Sequence, residues 1–96
     1  MNEHELRVAV VGVGHLGRHH ARLLATMDGV RLVGVVDTNA ARAREIAAAA
    51  GTTAFGSWQE VVGAVDAVTV AVPTEAHAEV ALGCIAAGVH VLIEKP

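Results

Sequence analysis

With 96 residues, 53% of them hydrophobic and 18% charged, the chain is long enough for one domain with a modest core and too apolar to remain disordered. A formal net charge of -3, and aromatics limited to Phe55 and Trp58, exclude a basic stripe for phosphates and a stacking platform for bases, so no nucleic-acid partner is expected. The single cysteine, Cys84, excludes an internal disulfide; with no signal-like start in MNEHELR and no bilayer-spanning run, the expected setting is cytoplasmic, with no membrane partner.

The apolar residues are mainly Ala and Val, which suits helices lying close on a sheet. A first strand is predicted over 6–11, apolar apart from Arg7, as a strand covered on both faces should be. It runs directly into Gly12, Gly14 and Gly17 in the spacing G-x-G-x-x-G, followed at once by a helix over 15–27 whose inward stripe is Leu16, Ala21, Leu24 and Ala25. In a dinucleotide-binding turn each glycine has a task. Gly12 turns the chain out of the strand, Gly14 removes a side chain where a pyrophosphate approaches, and Gly17 lets the helix pack close. The N–H groups at the helix start face the phosphates, so Gly12, Gly14, His15, Leu16 and Gly17 are candidate cofactor contacts. The glycine spacing alone is weak evidence. Its context adds the preceding strand, the following helix and Asp37, an acid about 20 residues farther on, placed to accept hydrogen bonds from an adenosine ribose.

Asp28-Gly29 is expected to end the first helix, with Gly29 in the left-handed position just beyond it. A second strand over 30–36 is closed by Asp37, and Thr38 or Asn39 caps a helix that reaches Ala50 and stops at Gly51. A short third strand is placed at 52–55. Ser57-Trp58-Gln59-Glu60 carries the S-x-x-E capping-box pattern and starts a brief helix ended by Gly63. A fourth strand over 67–72 stops at Pro73, Thr74 caps a helix over 75–87, and Gly88 closes it. A fifth strand over 89–93 leads into Glu94, Lys95 and Pro96. Strands alternating with helices through short links imply parallel strands and right-handed crossovers. The predicted fold is therefore α/β, a doubly wound (Rossmann) parallel sheet of five strands in the order 3-2-1-4-5 with helices on both faces, its cofactor crevice where the order reverses.

Three segments, GVGHLGRHHA at 12–21, AVPTEAHAEVAL at 71–82 and GVHVLIEKP at 88–96, together resemble the N-terminal domain of the glucose-fructose oxidoreductase, inositol dehydrogenase and rhizopine-catabolism family, Gfo/Idh/MocA. The likeness covers the whole chain, and P-[TN]-x-x-H with a terminal E-K-P is more specific than the glycine loop. The resemblance implies that Pro73, Thr74 and His77 lie along the ribose and nicotinamide side of the cofactor. Many relatives have Asn where this chain has Thr74, and both are small polar residues. It also implies that Glu94 and Lys95 belong to the E-K-P motif, with Lys95 beside the nicotinamide and the reacting carbon. There its ammonium would stabilise and orient an alkoxide as hydride leaves. Family members continue past this proline into a last helix and strand and an α+β domain that holds the substrate pocket. Residues 1–96 are accordingly expected to be an incomplete dinucleotide-binding domain whose C-terminal substrate domain is absent.

Asp37 favours NAD, with NADP as the alternative cofactor; Thr38 stands beside it, and Arg42 is a candidate phosphate contact whose simpler role is a solvated helical arginine. His15 and His19 share a helix face but lack an evident third ligand, so no metal site is expected. His19 and His20 are read as surface or loop-packing residues, His90 as structural and Cys84 as a buried packing residue. The implied activity is hydride transfer between NAD(P) and a hydroxyl of a sugar, cyclitol or nucleotide sugar. Within the family, the glycine loop resembles that of members acting on UDP-N-acetylglucosamine. The implied partners are a small sugar-type substrate and a second copy in a homo-oligomer. The alternative is a non-catalytic dinucleotide-binding module, or the cofactor subunit of a split protein.

Overall fold

The computed structural model describes residues 5–12, 14–71 and 74–93; within these, the side chains of His15, Leu16, residues 74–77 and Ile93 lie outside the description. Five strands, β1 (Leu6–Val11), β2 (Val30–Val36), β3 (Thr53–Phe55), β4 (Ala67–Val70) and β5 (His90–Ile93), alternate with the helices α1 (His15–Thr26), α2 (Ala40–Ala50) and α3 (Thr74–Ala86). The strands form one sheet in the order β3-β2-β1-β4-β5, every neighbouring pair parallel, as the alternation predicts.

Two apolar layers hold the sheet between them. On one face Ala9, Val11, Val36, Val68 and Val70 meet Val80 and Cys84 of α3 and the loop residues Val61 and Val65. On the other face Val10 and Val35 meet Ala21 of α1 and Ile46 and Ala47 of α2. β1 supplies both layers because successive side chains of a strand point to opposite faces. Val10, Val35, Val61, Val68 and Val70 are fully buried. Each such side chain contributes roughly 1.5–3 kcal/mol relative to leaving it in water.

A register shift between Val8 and Ala9 pairs Val8 with Leu32 but Ala9 with Gly34, leaving Val33 as the extra residue of a bulge. The extra residue resets the in-and-out phase of β2, so Val35 reaches the α1 and α2 layer while Val36 reaches the other. The phenyl ring of Phe55 lies over Gly34 and occupies the space a side chain there would need.

Several local expectations are corrected. α1 ends at Thr26 with Met27 extended, and Gly29 sits instead inside the next turn, closed by the Val30 N–H to the Met27 carbonyl at 3.3 Å. Ala25 is exposed, because the last turn of α1 borders an open cleft also lined by Leu32, Ala50 and Thr52. Of the two cap candidates it is Asn39 that caps α2, and Gly51 closes the helix as expected, with the paired hydrogen bonds of a Schellman motif. β3 starts at Thr53.

The S-x-x-E box does not form. Ser57 makes no side-chain cap, its hydroxyl instead meeting Glu60 Oε1 at 3.4 Å, and only a three-residue 3₁₀ turn (Trp58–Glu60) follows. Trp58 is drawn inward against the backbone of Gly83 on α3, where any Cβ would strike the indole. β4 pairs only through Val70, with Ala71 N–H still bonded to the Val11 carbonyl at 2.8 Å, and the expected strand end at Val72 lies outside the described residues. Thr74 is the first residue of α3 rather than the residue flanking it, Ala87 falls in the closing turn, and β5 starts at His90.

Candidate functional site

Parallel pairing brings the carboxyl ends of the strands to one edge. Val11 lies opposite Val36 on one side and Val70 on the other, and Val70 lies opposite Ile93. Gly12, Asp37 and Ala71 therefore leave the sheet side by side, and β1 and β4 flank the place where strand order reverses. In open α/β sheets that is where a ligand finds backbone N–H groups and diverging loops rather than packed side chains.

Gly12 takes φ of 92°, a conformation that L side chains rarely adopt, and its N–H donates to the Val36 carbonyl at 2.6 Å. This turn carries the chain over the end of β1 and directly into α1. At Gly17 a Cβ would overlap the Gly12 carbonyl oxygen and lie 3.6 Å from the Ala71 methyl group, so only glycine lets α1 approach the loop and β4 this closely. Gly14 flanks α1 with no side-chain cap, and α1 has no acid in its first turn. Among the described residues, Arg42 Nη1 comes within 3.9 Å of a Cβ placed at Gly14. The positive end of α1 therefore starts at a glycine with neither a side-chain cap nor an acid to neutralise it, which suits a pyrophosphate.

Asp37 is held at the end of β2, its N–H donating to the Phe55 carbonyl at 3.3 Å and its side chain only 12% exposed. Oδ1 accepts the Asn39 N–H at 2.8 Å, and Asn39 Oδ1 in turn accepts the Arg42 N–H at 3.0 Å. Arg42 Nη1 returns to within 4.0 Å of Asp37 Oδ2. The carboxylate that the glycine loop calls for is thus fixed in place and has a cation beside it. Thr38 is exposed in the same turn.

The structure brings Gly12, Gly14, Gly17, Asp37, Thr38 and Arg42 together. The backbone of His15 and Leu16 opens α1, and that of Thr74 and His77 lies at the start of α3, over the carboxyl end of β4. Pro73, Glu94 and Lys95 lie outside the described residues. Two contacts escaped sequence reasoning. Asn39 was read as a cap but not as a support for Asp37. His20, expected at the surface or packing the loop, is half-buried, with Nδ1 3.1 Å from Oγ1 of the buried Thr69, a contact that ties α1 to β4 behind the loop. The available signal was Thr69 itself, a hydroxyl in an otherwise apolar strand that had to find a polar partner. Cys84 is buried as expected, and desolvation pushes its thiol pKa up. Among the described residues no helix is long and apolar enough to cross a membrane.

Residues 6–96 match the GFO_IDH_MocA family, described as an oxidoreductase family with an NAD-binding Rossmann fold. The UDP-N-acetylglucosamine 3-dehydrogenase of Acidithiobacillus ferrooxidans is 48% identical over 91 residues, covering 95% of this chain and 28% of that protein. Its solved structure superposes with a TM-score of 0.88, covering 95% of this chain and 29% of that one. An inositol 2-dehydrogenase of Leifsonia xyli is 38% identical over 95 residues, covering 96% of this chain and 28% of its own length. GenD2 from gentamicin A biosynthesis, solved in complex with NAD, is 36% identical with a TM-score of 0.92, covering 100% of this chain and 28% of that one.

Proposed function

This chain belongs to the GFO_IDH_MocA oxidoreductase family with its NAD-binding Rossmann fold, and on that premise we propose that it is the cofactor-binding part of a dehydrogenase acting on a sugar, cyclitol or nucleotide-sugar hydroxyl. One observation carries the cofactor reading. The bare backbone at Gly14, the close packing at Gly17 and the fixed carboxylate of Asp37 lie along a single edge of the sheet, in the arrangement a dinucleotide requires. Bound NAD supplies the hydride acceptor. The chain's own residues do the rest of the binding: the start of α1 holds the pyrophosphate, and Asp37 receives the adenosine ribose hydroxyls.

Pro73, Thr74 and His77 are proposed to line the nicotinamide side with Glu94, and Lys95 to stabilise the alkoxide that forms as hydride leaves. The relatives of known activity support a polyol-type substrate, a nucleotide sugar being favoured by the 48% identity to the UDP-N-acetylglucosamine enzyme. The chain spans 28% of that enzyme's length. Substrate positioning, on which roughly 7–11 kcal/mol of barrier reduction can rest, is therefore assigned to a further domain.

Calorimetric titration with NAD tests the cofactor reading. One-to-one binding is expected, and Asp37→Ala should weaken NAD about tenfold or more, in keeping with the loss of hydrogen bonds to a charged acceptor. Absence of any heat or chemical-shift change with NAD contradicts the reading. NADH formation is then followed with inositol, glucose and UDP-N-acetylglucosamine, for this chain and for one carrying a substrate domain. Turnover is expected only in the second, and its loss in Lys95→Ala tests the proposed role of the lysine.

A further inference from the structure

We propose that His20 is a positioning residue for the dinucleotide: through its contact with Thr69 it sets the angle at which the start of α1 presents its N–H groups to the pyrophosphate. The inference rests on the dinucleotide reading above. α1 has nothing at its own start to hold it in that setting, since Gly14 flanks it without a side-chain cap and the first turn carries no acid. Its orientation therefore comes from farther along, where the helix meets the sheet.

Two consecutive residues make that meeting. Ala21 packs with Val10 of β1 in the apolar layer, and His20 places Nδ1 3.1 Å from Oγ1 of Thr69 on β4. Val10 and Thr69 lie opposite one another in the parallel β1–β4 ladder, so α1 is seated across the two strands that border the site. The two contacts differ in kind. Apolar packing has no direction and lets the helix roll on Val10, whereas a hydrogen bond holds distance and angle together. His20 is roughly one and a half turns from the first residue of α1, so a roll at His20 carries the whole first turn with it. Thr69 also lies two residues before Ala71, whose methyl is 3.6 Å from the place a Cβ would take on Gly17. The hydrogen bond and the glycine contact thus fasten α1 to β4 at two points, one of them inside the loop.

Stability does not account for the polar pair. Thr69 stands between Val68 and Val70, all three buried, and valine has nearly the shape of threonine. Replacing both members of a buried hydrogen bond by apolar groups of like shape is close to neutral, while removing one leaves the other unpaired. What histidine on threonine adds over leucine on valine is direction.

The test compares the intact wild-type chain with His20→Ala, His20→Asn and the double variant His20→Leu with Thr69→Val, by thermal unfolding, calorimetric titration with NAD and amide chemical shifts. The double variant is expected to melt close to the wild type yet raise the Kd for NAD by about fivefold or more, and His20→Ala should raise it by a similar factor. His20→Asn should recover most of that affinity, because its side-chain amide carries polar atoms as many bonds from the backbone as Nδ1. At saturating NAD the shifts of residues 14–17 should shrink in His20→Ala and in the double variant, while those of residues 37–39 persist. A folded His20→Ala or double variant that binds NAD within about twofold of the wild type overturns the inference and leaves the dinucleotide reading intact. Equal loss of shifts at both segments overturns it as well, since that marks general loosening. If neither variant folds, the pair serves the fold and the inference falls. A wild type that binds no NAD overturns the dinucleotide reading and this inference with it.

Discussion

At Gly17 the absence of one methyl group fixes how close a helix can come to a strand. A Cβ there would overlap the Gly12 carbonyl, and that carbonyl belongs to the turn that aims the start of α1 at the ligand. Gly17→Ala is therefore expected to cost about 1–3 kcal/mol of stability, as forced overpacking does, and to reduce NAD affinity at the same time. Thermal unfolding and titration on the same sample check this, and full NAD affinity in a folded Gly17→Ala would show that the close packing serves stability alone. This residue was legible in the sequence because its role depends on spacing within a few positions. Asp37 was legible for the same reason, since it directly follows an apolar run. Arg42 was named only as a candidate, because its meaning depends on a turn in space toward Gly14 that spacing along the chain does not record. His20 and Thr69 were missed for a related reason: they are distant in sequence and meet only across a helix-to-strand packing.

The elements themselves follow from short-range pattern, and their departures from expectation have long-range causes. The β2 bulge reflects the ring of Phe55 lying over Gly34, and the reduced 3₁₀ turn reflects Trp58 being drawn against Gly83 on α3. At the amino ends of the strands, Arg7 on β1 and Asp66 just before β4 grip one another. The guanidinium donates to Oδ1 at 3.0 Å and to Oδ2 at 3.2 Å, while the Arg7 N–H also donates to Oδ2 and the Asp66 N–H to the Arg7 carbonyl. The side-chain hydrogen bond from Arg7, then the backbone one, hold the Asp66 carboxyl below its usual pKa. A carboxyl depressed in the folded state stabilises above its unfolded pKa of about 3.9, and that stabilisation is lost as pH falls through the folded value. Asp66→Asn should therefore unfold at a lower temperature than the wild type near neutral pH, the two curves converging in acid. A gap that stays constant down to about pH 2 would assign the effect to hydrogen-bond geometry instead of charge.

Across the whole molecule, burial is uneven in a way the local pattern did not show. Val80, Ala81 and Cys84 face the sheet from α3, yet Leu82 and Ile85 of the same helix are 67% and 61% exposed, and Leu92 on the edge strand β5 is 59% exposed. Among the described residues α3 packs on the sheet through its inner side, while the apolar side chains of its outer side meet solvent. β5 ends the sheet order, so its outer backbone groups also offer a template for pairing. The expected consequence is concentration-dependent self-association of this chain, driven by the outer face of α3 and the β5 edge. Sedimentation velocity across a wide concentration range should show a rising average mass. Replacing Leu82 and Ile85 together with lysine should lower that mass while circular dichroism remains unchanged, since neither residue contributes to the buried layers. A wild type that stays monomeric throughout would remove self-pairing as the explanation. An association that survives both lysines would move it from α3 to the backbone edge of β5.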